Sequence, residues 1–217
     1  MPRETKKAKR ARTQEILARL AEMYPDSRCS LTHESPFELL VATVLSAQCT
    51  DARVNQVTPA LFRRYPDAAA MAEARQEDVE EMVRSTGFFR SKAKSLLGLA
   101  TALTEDHEGV VPRSIAELTA LPGVGRKTAN VVLGVAFGMA EGIVVDTHVK
   151  RVSKRLGLTR ADDPVKVEND LLPLIDADQR VIFTHRIIDH GRAICVARKP
   201  RCAECALSDI CPSAFRV

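Results

Sequence analysis

The chain has 217 residues, of which 45% are hydrophobic and 28% charged, a composition typical of soluble globular proteins and unlike that of disordered chains. Its longest uncharged stretches, 39–50 and 128–140, are too short for a membrane span, which needs about 20 apolar residues, and no secretory signal is visible. Aromatic residues make up only 4% and Trp is absent, so a stacking platform for single-stranded nucleic acid is not expected. These features predict a cytoplasmic protein with no membrane partner.

Charge is distributed unevenly along the chain, whose net value is only +4. Residues 1–12 carry +5, residues 67–81 carry −5 and residues 121–155 carry +4. One acidic and one basic face would suit an oriented polyanionic partner. Charge alone leaves open the alternative that these are solvated helix faces.

Helical patterns follow one another almost throughout the chain, so the predicted fold class is all-α. Thr13 is the predicted cap of the first helix, and Ser35 and Ser114 each begin a capping box. Residues 143–145 form the only short β-branched run. The predicted helices cover 13–23, 36–45, a segment from 51 that breaks near Pro59, 67–85 with Gly87 as its stop, 91–104, 114–120, 126–136 and 149–156.

A glycine-containing turn, LPGVGRKT at 121–128, joins two of these helices. Glycines leave the backbone N–H groups open to an anion, and the positive end of the next helix dipole begins there. The arrangement predicts a helix–hairpin–helix that holds a DNA phosphate, contacted by Gly123, Val124, Gly125 and Arg126. A nucleotide-binding P-loop is excluded, because it needs four residues between its glycines and a Lys directly after the second.

Two residues near this turn could carry chemistry. Lys127 is either a phosphate contact or an amine nucleophile, and the second role requires an uncharged amine, which burial and nearby positive charge favour. Asp146 lies in VVDTHV, between apolar residues and an amphipathic basic helix. It is either a helix N-cap or a catalytic carboxylate, and the two roles are compatible because a cap fixes the direction of the side chain.

Four of the six cysteines crowd near the C-terminus, in the pattern Cys-x6-Cys-x2-Cys-x5-Cys. Such a cluster more often binds metal than forms disulfides in an intracellular protein. The spacing alone leaves zinc and a [4Fe–4S] cluster open. Cys29 and Cys49 stand apart and are predicted to be buried, unligated thiols. The predicted metal ligands are Cys195, Cys202, Cys205 and Cys211.

The strings LPGVGRKTANVVL and VDTHV resemble the signature of the helix–hairpin–helix DNA glycosylase superfamily. More narrowly, the chain from about Thr13 to Pro212 is similar to the endonuclease III family, in which a lysine at the position of Lys127 forms a Schiff base and an aspartate at the position of Asp146 is catalytic. Adenine glycosylase relatives lack that lysine. The resemblance also implies a [4Fe–4S] cluster rather than zinc at the four cysteines.

The fold implied by the resemblance has two helical lobes with a DNA-binding cleft between them, Lys127 on one wall and Asp146 on the other. Residues 30–140 would form a six-helix barrel that contains the helix–hairpin–helix. Residues 13–29 and 141–217 would form an iron–sulfur cluster lobe, and residues 1–12 a disordered basic tail.

The implied function is base excision repair: a monomer at the nucleoid of a prokaryotic-type cell would remove oxidised pyrimidines from double-stranded DNA and cut the abasic site by β-elimination. A monofunctional glycosylase and a non-catalytic DNA-binding protein remain alternatives. Gln48 and Phe88 match residues that fill the gap left by a flipped base, although Phe88 could equally be a packed core residue. The other implied DNA contacts are His148, Arg198, Lys199 and Arg201.

Overall fold

The structure is a computed structural model that describes residues 4–216, and all its regular elements are helical over that range. The all-α prediction is therefore confirmed. Among the described residues, no helix is both long and apolar enough to span a membrane. The helices are α1 Lys6–Met23, α2 Pro36–Leu45, α3 Asp51–Arg64, α4 Ala68–Ala72, α5 Gln76–Val83, α6 Phe89–Asp106, α7 Ile115–Ala120, α8 Arg126–Phe137, α9 Thr147–Arg155, α10 Pro164–Leu171 and α11 Arg180–Ala193.

The chain divides into two compact units, each with its own hydrophobic core. The central unit is Cys29–Met139, and the terminal unit combines Met1–Arg28 with Ala140–Val217. In the central unit, α4 and α5 pack on α6, and α2 packs on α8. In the terminal unit, α11 packs on both α1 and α9, and the core includes Ile16, Leu20, Val152, Phe183 and Ile187.

Two helix starts follow the predicted capping boxes. The Oγ atoms of Ser35 and Ser114 accept the backbone N–H groups of Glu38 and Glu117, each at 3.2 Å. Such bonds satisfy N–H groups that have no acceptor inside the helix. The capping prediction is confirmed at both sites.

The start of α1 differs from the prediction, because the helix begins at Lys6 rather than at Thr13. Its cap is Thr5, and Lys9 Nζ lies 2.6 Å from the Leu158 carbonyl oxygen. Arg12 donates to the Leu156 carbonyl oxygen at 2.7 Å. The predicted disordered tail is therefore wrong for residues 6–12, which belong to α1 and in which Lys9 and Arg12 are held by backbone carbonyls of the terminal unit. Residues 1–3 lie outside the described range.

Two interior predictions are also corrected. The helix α3 does not break at Pro59 but continues to Arg64, because one missing N–H is a local loss and the buried face of the helix continues to Leu61. The predicted helix over 67–85 is two helices, α4 and α5. The break follows Ala72, where the Ala74 N–H donates to the Met71 carbonyl and closes a tight turn. The sequence patterns did not predict α10 or α11.

Candidate nucleic-acid interface and metal centre

The hairpin between α7 and α8 contains two glycines, and the surrounding structure requires glycine at only one of these positions. Gly123 has φ +77°, and a Cβ built there would lie 2.6 Å from the Cβ of Ser95. Gly125 has φ −92° and caps α8, and a Cβ there would meet nothing within 4 Å. The fold therefore requires glycine at 123, whereas the bare backbone at 125 faces open space.

Val124 does not present its amide as the sequence predicted. Its side chain is buried, and its N–H donates to the Leu121 carbonyl oxygen at 3.1 Å, so this amide is already used inside the turn. The first residues of α8 follow directly, and helix geometry leaves their N–H groups without an acceptor inside the helix. The part of the hairpin whose geometry suits an anion is therefore the exposed start of α8, with Gly125 and Arg126.

Lys127 is the second residue of α8 and its side chain is exposed. The burial expected of an amine nucleophile is therefore absent from the central unit taken by itself. Its position at a helix N-terminus agrees with the prediction, because α8 begins at Arg126.

Asp146 caps α9, as one of its two predicted roles required. The residue is half-buried, and Oδ1 accepts the Val149 N–H at 2.7 Å. This bond fixes the direction of the carboxylate. Two residues on, His148 Nδ1 lies 3.2 Å from Arg151 Nη2, and burial lowers the pKa of His148, while Asp146 opposes that shift.

Gln48 and Phe88 share an uncommon backbone geometry in two loops of the central unit. Both side chains are exposed, and their φ angles of 52° and 47° lie in the left-handed region, which non-glycine residues rarely adopt. Phe88 is 67% exposed. It is therefore not a packed core residue, and the alternative that the sequence left open is removed.

The four C-terminal cysteines line one pocket of the terminal unit, of about 380 Å³ when open solvent at its mouth is included. Arg155 Nη1 lies 3.4 Å from the Sγ of Cys195, and the thiol of Cys211 donates to the Arg155 carbonyl at 3.4 Å. Within residues 4–216, no three His, Cys, Asp or Glu side chains are arranged to hold a single metal ion. Four cysteine sulfurs around one pocket are a donor set that suits either a zinc ion or a [4Fe–4S] cluster.

The basic loop between Cys195 and Cys202 is held by hydrogen bonds from Arg155 to its backbone. Its guanidinium donates to the carbonyl oxygens of Val196, at 2.7 Å, and Ala197, at 2.9 Å. Arg198 and Lys199 are exposed on the loop. Arg201, also exposed, instead donates back to the Ala193 carbonyl and pairs with Glu204 at 3.4 Å.

Sequence reasoning missed several contacts of this centre. It placed Arg155 only in a basic stretch, and it gave no role to His190, which lies 3.7 Å from the Sγ of Cys205. Only the amphipathic pattern of 149–156 pointed to Arg155, and nothing local pointed to His190. Cys29 and Cys49 are free thiols, but both are half-buried rather than buried.

Comparison with known families agrees with this geometry. Residues 41–176 match the model of the HhH-GPD superfamily of base excision DNA repair proteins, and residues 195–211 match the iron–sulfur binding domain of endonuclease III. The second match begins and ends at the outer cysteines of the pocket. The chain therefore belongs to the HhH-GPD superfamily of base excision DNA repair proteins.

The relatives narrow this class. The chain is 56% identical to endonuclease III of Synechocystis sp. over 95% of this chain and 94% of that one, and 45% identical to endonuclease III of Escherichia coli K12 over 93% and 95%. Within the superfamily it belongs to the endonuclease III family, as a bifunctional DNA glycosylase and AP lyase with a [4Fe–4S] cluster.

Solved structures share the fold. A trapped covalent intermediate of endonuclease III with DNA matches at a TM-score of 0.88 and 46% identity, covering 94% of this chain and 96% of that one. A thermostable thymine-DNA glycosylase matches at a TM-score of 0.86 and 21% identity, over 95% and 98%. The second likeness concerns the fold alone.

Proposed function

We propose that this enzyme excises oxidised pyrimidines, of the thymine glycol and 5-hydroxycytosine type, from double-stranded DNA and then cuts the abasic site through a Schiff base on Lys127. The observation that carries this proposal is the exposed side chain of Lys127 at the start of α8, two residues after the open backbone of Gly125. An amine in that position would lie close to the DNA phosphate that the hairpin would bind. Bound DNA would cover the amine and supply the burial that the free protein lacks.

In this proposal the uncharged amine of Lys127 attacks C1′ of the damaged nucleotide. The C1′–N bond breaks, and the departing base takes the bonding electrons and a proton. The nitrogen lone pair then opens the C1′–O4′ bond, O4′ takes up a proton to become a hydroxyl, and the resulting protonated imine makes a 2′ hydrogen acidic. Removal of that proton expels the 3′ phosphate and cuts the strand.

The proposed role of Asp146 is electrostatic. Cleavage of the C1′–N bond develops positive charge on the sugar, and a carboxylate of fixed direction stabilises that charge. The cap bond to Val149 holds one carboxylate oxygen at 2.7 Å from the amide nitrogen, so little reorganisation is needed during the reaction.

The proposed DNA contacts are those that the structure leaves exposed. Gly125 and Arg126 would bind phosphate at the hairpin, and Arg198 and Lys199 would bind it at the cysteine loop. Exposed Gln48 and Phe88 would enter the duplex and fill the space of the flipped base. Val124 is buried, His148 is half-buried and Arg201 donates to the Ala193 carbonyl, so these three would contribute less.

The four cysteines are the proposed ligands of the [4Fe–4S] cluster, and Gly123 supports the hairpin turn. When bound, the cluster supplies a covalent cross-link that orders the basic loop rather than a chemical step. We also propose that the enzyme acts as a monomer on the DNA of the nucleoid. Light scattering of the free and DNA-bound protein would test the monomeric state.

The proposal is tested by borohydride trapping on a duplex that contains thymine glycol, followed by denaturing electrophoresis. We expect a covalent protein–DNA band that disappears in Lys127→Ala and persists in Lys94→Ala, which removes an exposed lysine on α6 of the same unit. An undamaged duplex should give no band.

The other outcomes separate the alternatives. A band that survives Lys127→Ala would overturn the assignment of the nucleophile. Base release with no band would make the enzyme monofunctional, and duplex binding with neither would leave a non-catalytic DNA-binding protein. Trapping only on duplexes with other lesions would overturn the oxidised-pyrimidine assignment.

A further inference from the structure

Lys92 is a buried lysine that the proposed chemistry does not use. It lies in the first turn of α6 in the central unit and is only 6% exposed. Burial lowers the pKa of its amine, and the nearby Cys49 opposes this shift. An ammonium group out of water is unfavourable unless it is well hydrogen-bonded, so the contacts of this amine indicate what it does.

Both hydrogen-bond donors of Lys92 bind the same turn. Its Nζ donates to the Thr86 carbonyl oxygen at 2.7 Å, and its backbone N–H donates to the Phe88 carbonyl oxygen at 3.0 Å. The two carbonyls lie on either side of Gly87. One residue therefore fixes the backbone before and after the Gly87–Phe88 peptide.

The turn needs such support because Phe88 is mostly exposed and gains little from packing. Its φ of 47° is unfavourable for a residue with a Cβ. Its ring is exposed, whereas the ring of the next residue, Phe89, is covered by the guanidinium groups of Arg84, at 5.1 Å, and Arg90, at 5.5 Å. Packing of its side chain holds Phe89 in place. The conformation of Phe88 depends instead on hydrogen bonds to the backbone of the turn.

We propose that Lys92 is a positioning residue that holds Phe88 outward in the conformation needed to enter the DNA duplex. This inference rests on the proposed role of Phe88 as a wedge. The bond from Nζ is charge-assisted and shielded from water, so it is stronger than a bond between neutral groups. The wedge is then ordered before DNA arrives, and binding does not have to order it.

A double-mutant cycle on the cluster-loaded enzyme tests the inference, using Phe88→Ala, Lys92→Met and the double variant. Methionine keeps most of the buried volume of Lys92 but removes the donor. The first readout is the fluorescence of 2-aminopurine opposite an abasic-site analogue, which rises when the base is unstacked. The second is single-turnover base release from a thymine-glycol duplex, and the third is strand cleavage at an abasic site in single-stranded DNA, where no base pair has to be opened.

We expect Lys92→Met to lower both the fluorescence gain and base release by about tenfold, the loss of one charge-assisted hydrogen bond, and to leave single-strand cleavage unchanged. In the Phe88→Ala background the same change should have no further effect, because the two residues act through one another. Additive losses, or equal losses on single-stranded DNA, would overturn the inference in favour of a structural role.

Failure of the wedge assignment gives a different result. If Phe88→Ala retains full fluorescence gain and base release, Phe88 is not a wedge and the proposed function loses that element. If Phe88→Ala is defective but Lys92→Met is normal, only the inference about Lys92 fails. Should Lys92→Met not fold, Lys92→Leu, which also removes the donor, takes its place in the same cycle.

Discussion

The imidazole Nε2 of His190 lies 3.7 Å from the Sγ of Cys205, one of the four proposed cluster ligands. His190 is 1% exposed, and its Nδ1 lies 3.1 Å from the hydroxyl oxygen of Tyr24. Burial lowers the pKa of His190 to about 4, so the ring is neutral at neutral pH and carries one N–H. Donation from the Tyr24 hydroxyl to Nδ1 would leave that N–H on Nε2, directed at the sulfur.

We expect His190→Phe to weaken retention of the cluster, because phenylalanine keeps the ring but removes the hydrogen bond to Cys205. Tyr24→Phe, which removes only the remote bond, should have a smaller effect. The measurement is the loss of visible cluster absorbance and of bound iron in the presence of a chelator. Equal rates of loss in wild type and His190→Phe would contradict the expectation.

The two roles of Asp146 are separable by substitution. Asparagine caps helices as well as aspartate does, so Asp146→Asn should keep thermal stability while strongly slowing single-turnover base release. Asp146→Ala should in addition lose about 1 kcal/mol of stability with the cap. If Asp146→Asn released base at the normal rate, the carboxylate would be a cap only.

The two hairpin glycines should respond differently to alanine. Gly123→Ala forces a Cβ against Ser95 at φ +77° and should cost about 1–3 kcal/mol of the free energy of unfolding. Gly125→Ala meets nothing within 4 Å and should change that free energy by no more than about 0.5 kcal/mol. It should nevertheless weaken binding to duplex DNA, measured by fluorescence anisotropy. Unchanged DNA binding by Gly125→Ala would argue against phosphate contact at this position.

Sequence patterns predicted best those helix boundaries that depend on residues close together in the chain. The caps at Ser35, Ser114 and Asp146 depend on residues three positions apart, and all three were predicted. The start of α1 was not, although its cap Thr5 also accepts an N–H three positions on; the contacts that hold Lys9 and Arg12 come from the carbonyls of Leu158 and Leu156, nearly 150 positions along the chain. A local sequence pattern does not show such distant contacts.

The N-terminal cations should therefore matter for stability. Arg12→Met removes the bond to the Leu156 carbonyl and the ion pair with Glu4 at 2.8 Å, and should lower the free energy of unfolding by about 1 kcal/mol or more. Lys7→Met changes an exposed residue of the same helix and should stay within about 0.5 kcal/mol. Equal urea midpoints for the two variants would restore the interpretation of this segment as a loosely held basic tail.

His185 gives the fold a dependence on pH. Burial lowers its pKa from the ordinary value, and Asp189 partly opposes the shift, so the unfolded chain takes up a proton at a higher pH than the folded protein does. Stability should therefore fall as the pH drops from about 6.5 towards the lowered folded value. We expect His185→Gln to show a smaller fall in urea midpoint than wild type between about pH 7.5 and about pH 5. Parallel midpoints would exclude His185 as the cause.

The sequence predicted which residues make up the site better than it predicted which of their groups are exposed or already hydrogen-bonded. Residue spacing identified the four cysteines and the hairpin, since both motifs are short in sequence. It could not show that the Val124 amide is used inside the turn, or that Phe88 is exposed and Phe89 covered. Those outcomes depend on packing between segments, which the order of residues does not display.

The division of the chain also has a consequence for its synthesis. The central unit is continuous in sequence, so it can complete its core while the ribosome is still adding the segments that follow. The apolar face of α1, with Ile16 and Leu20, has its partners on α11, about 170 positions later. That face must wait uncovered through most of translation, and the thiols of the cysteine pocket emerge later still. Iron–sulfur assembly is therefore expected to be among the last steps of maturation, and cells short of iron should accumulate a chain whose central unit is folded while its terminal unit remains open to proteases.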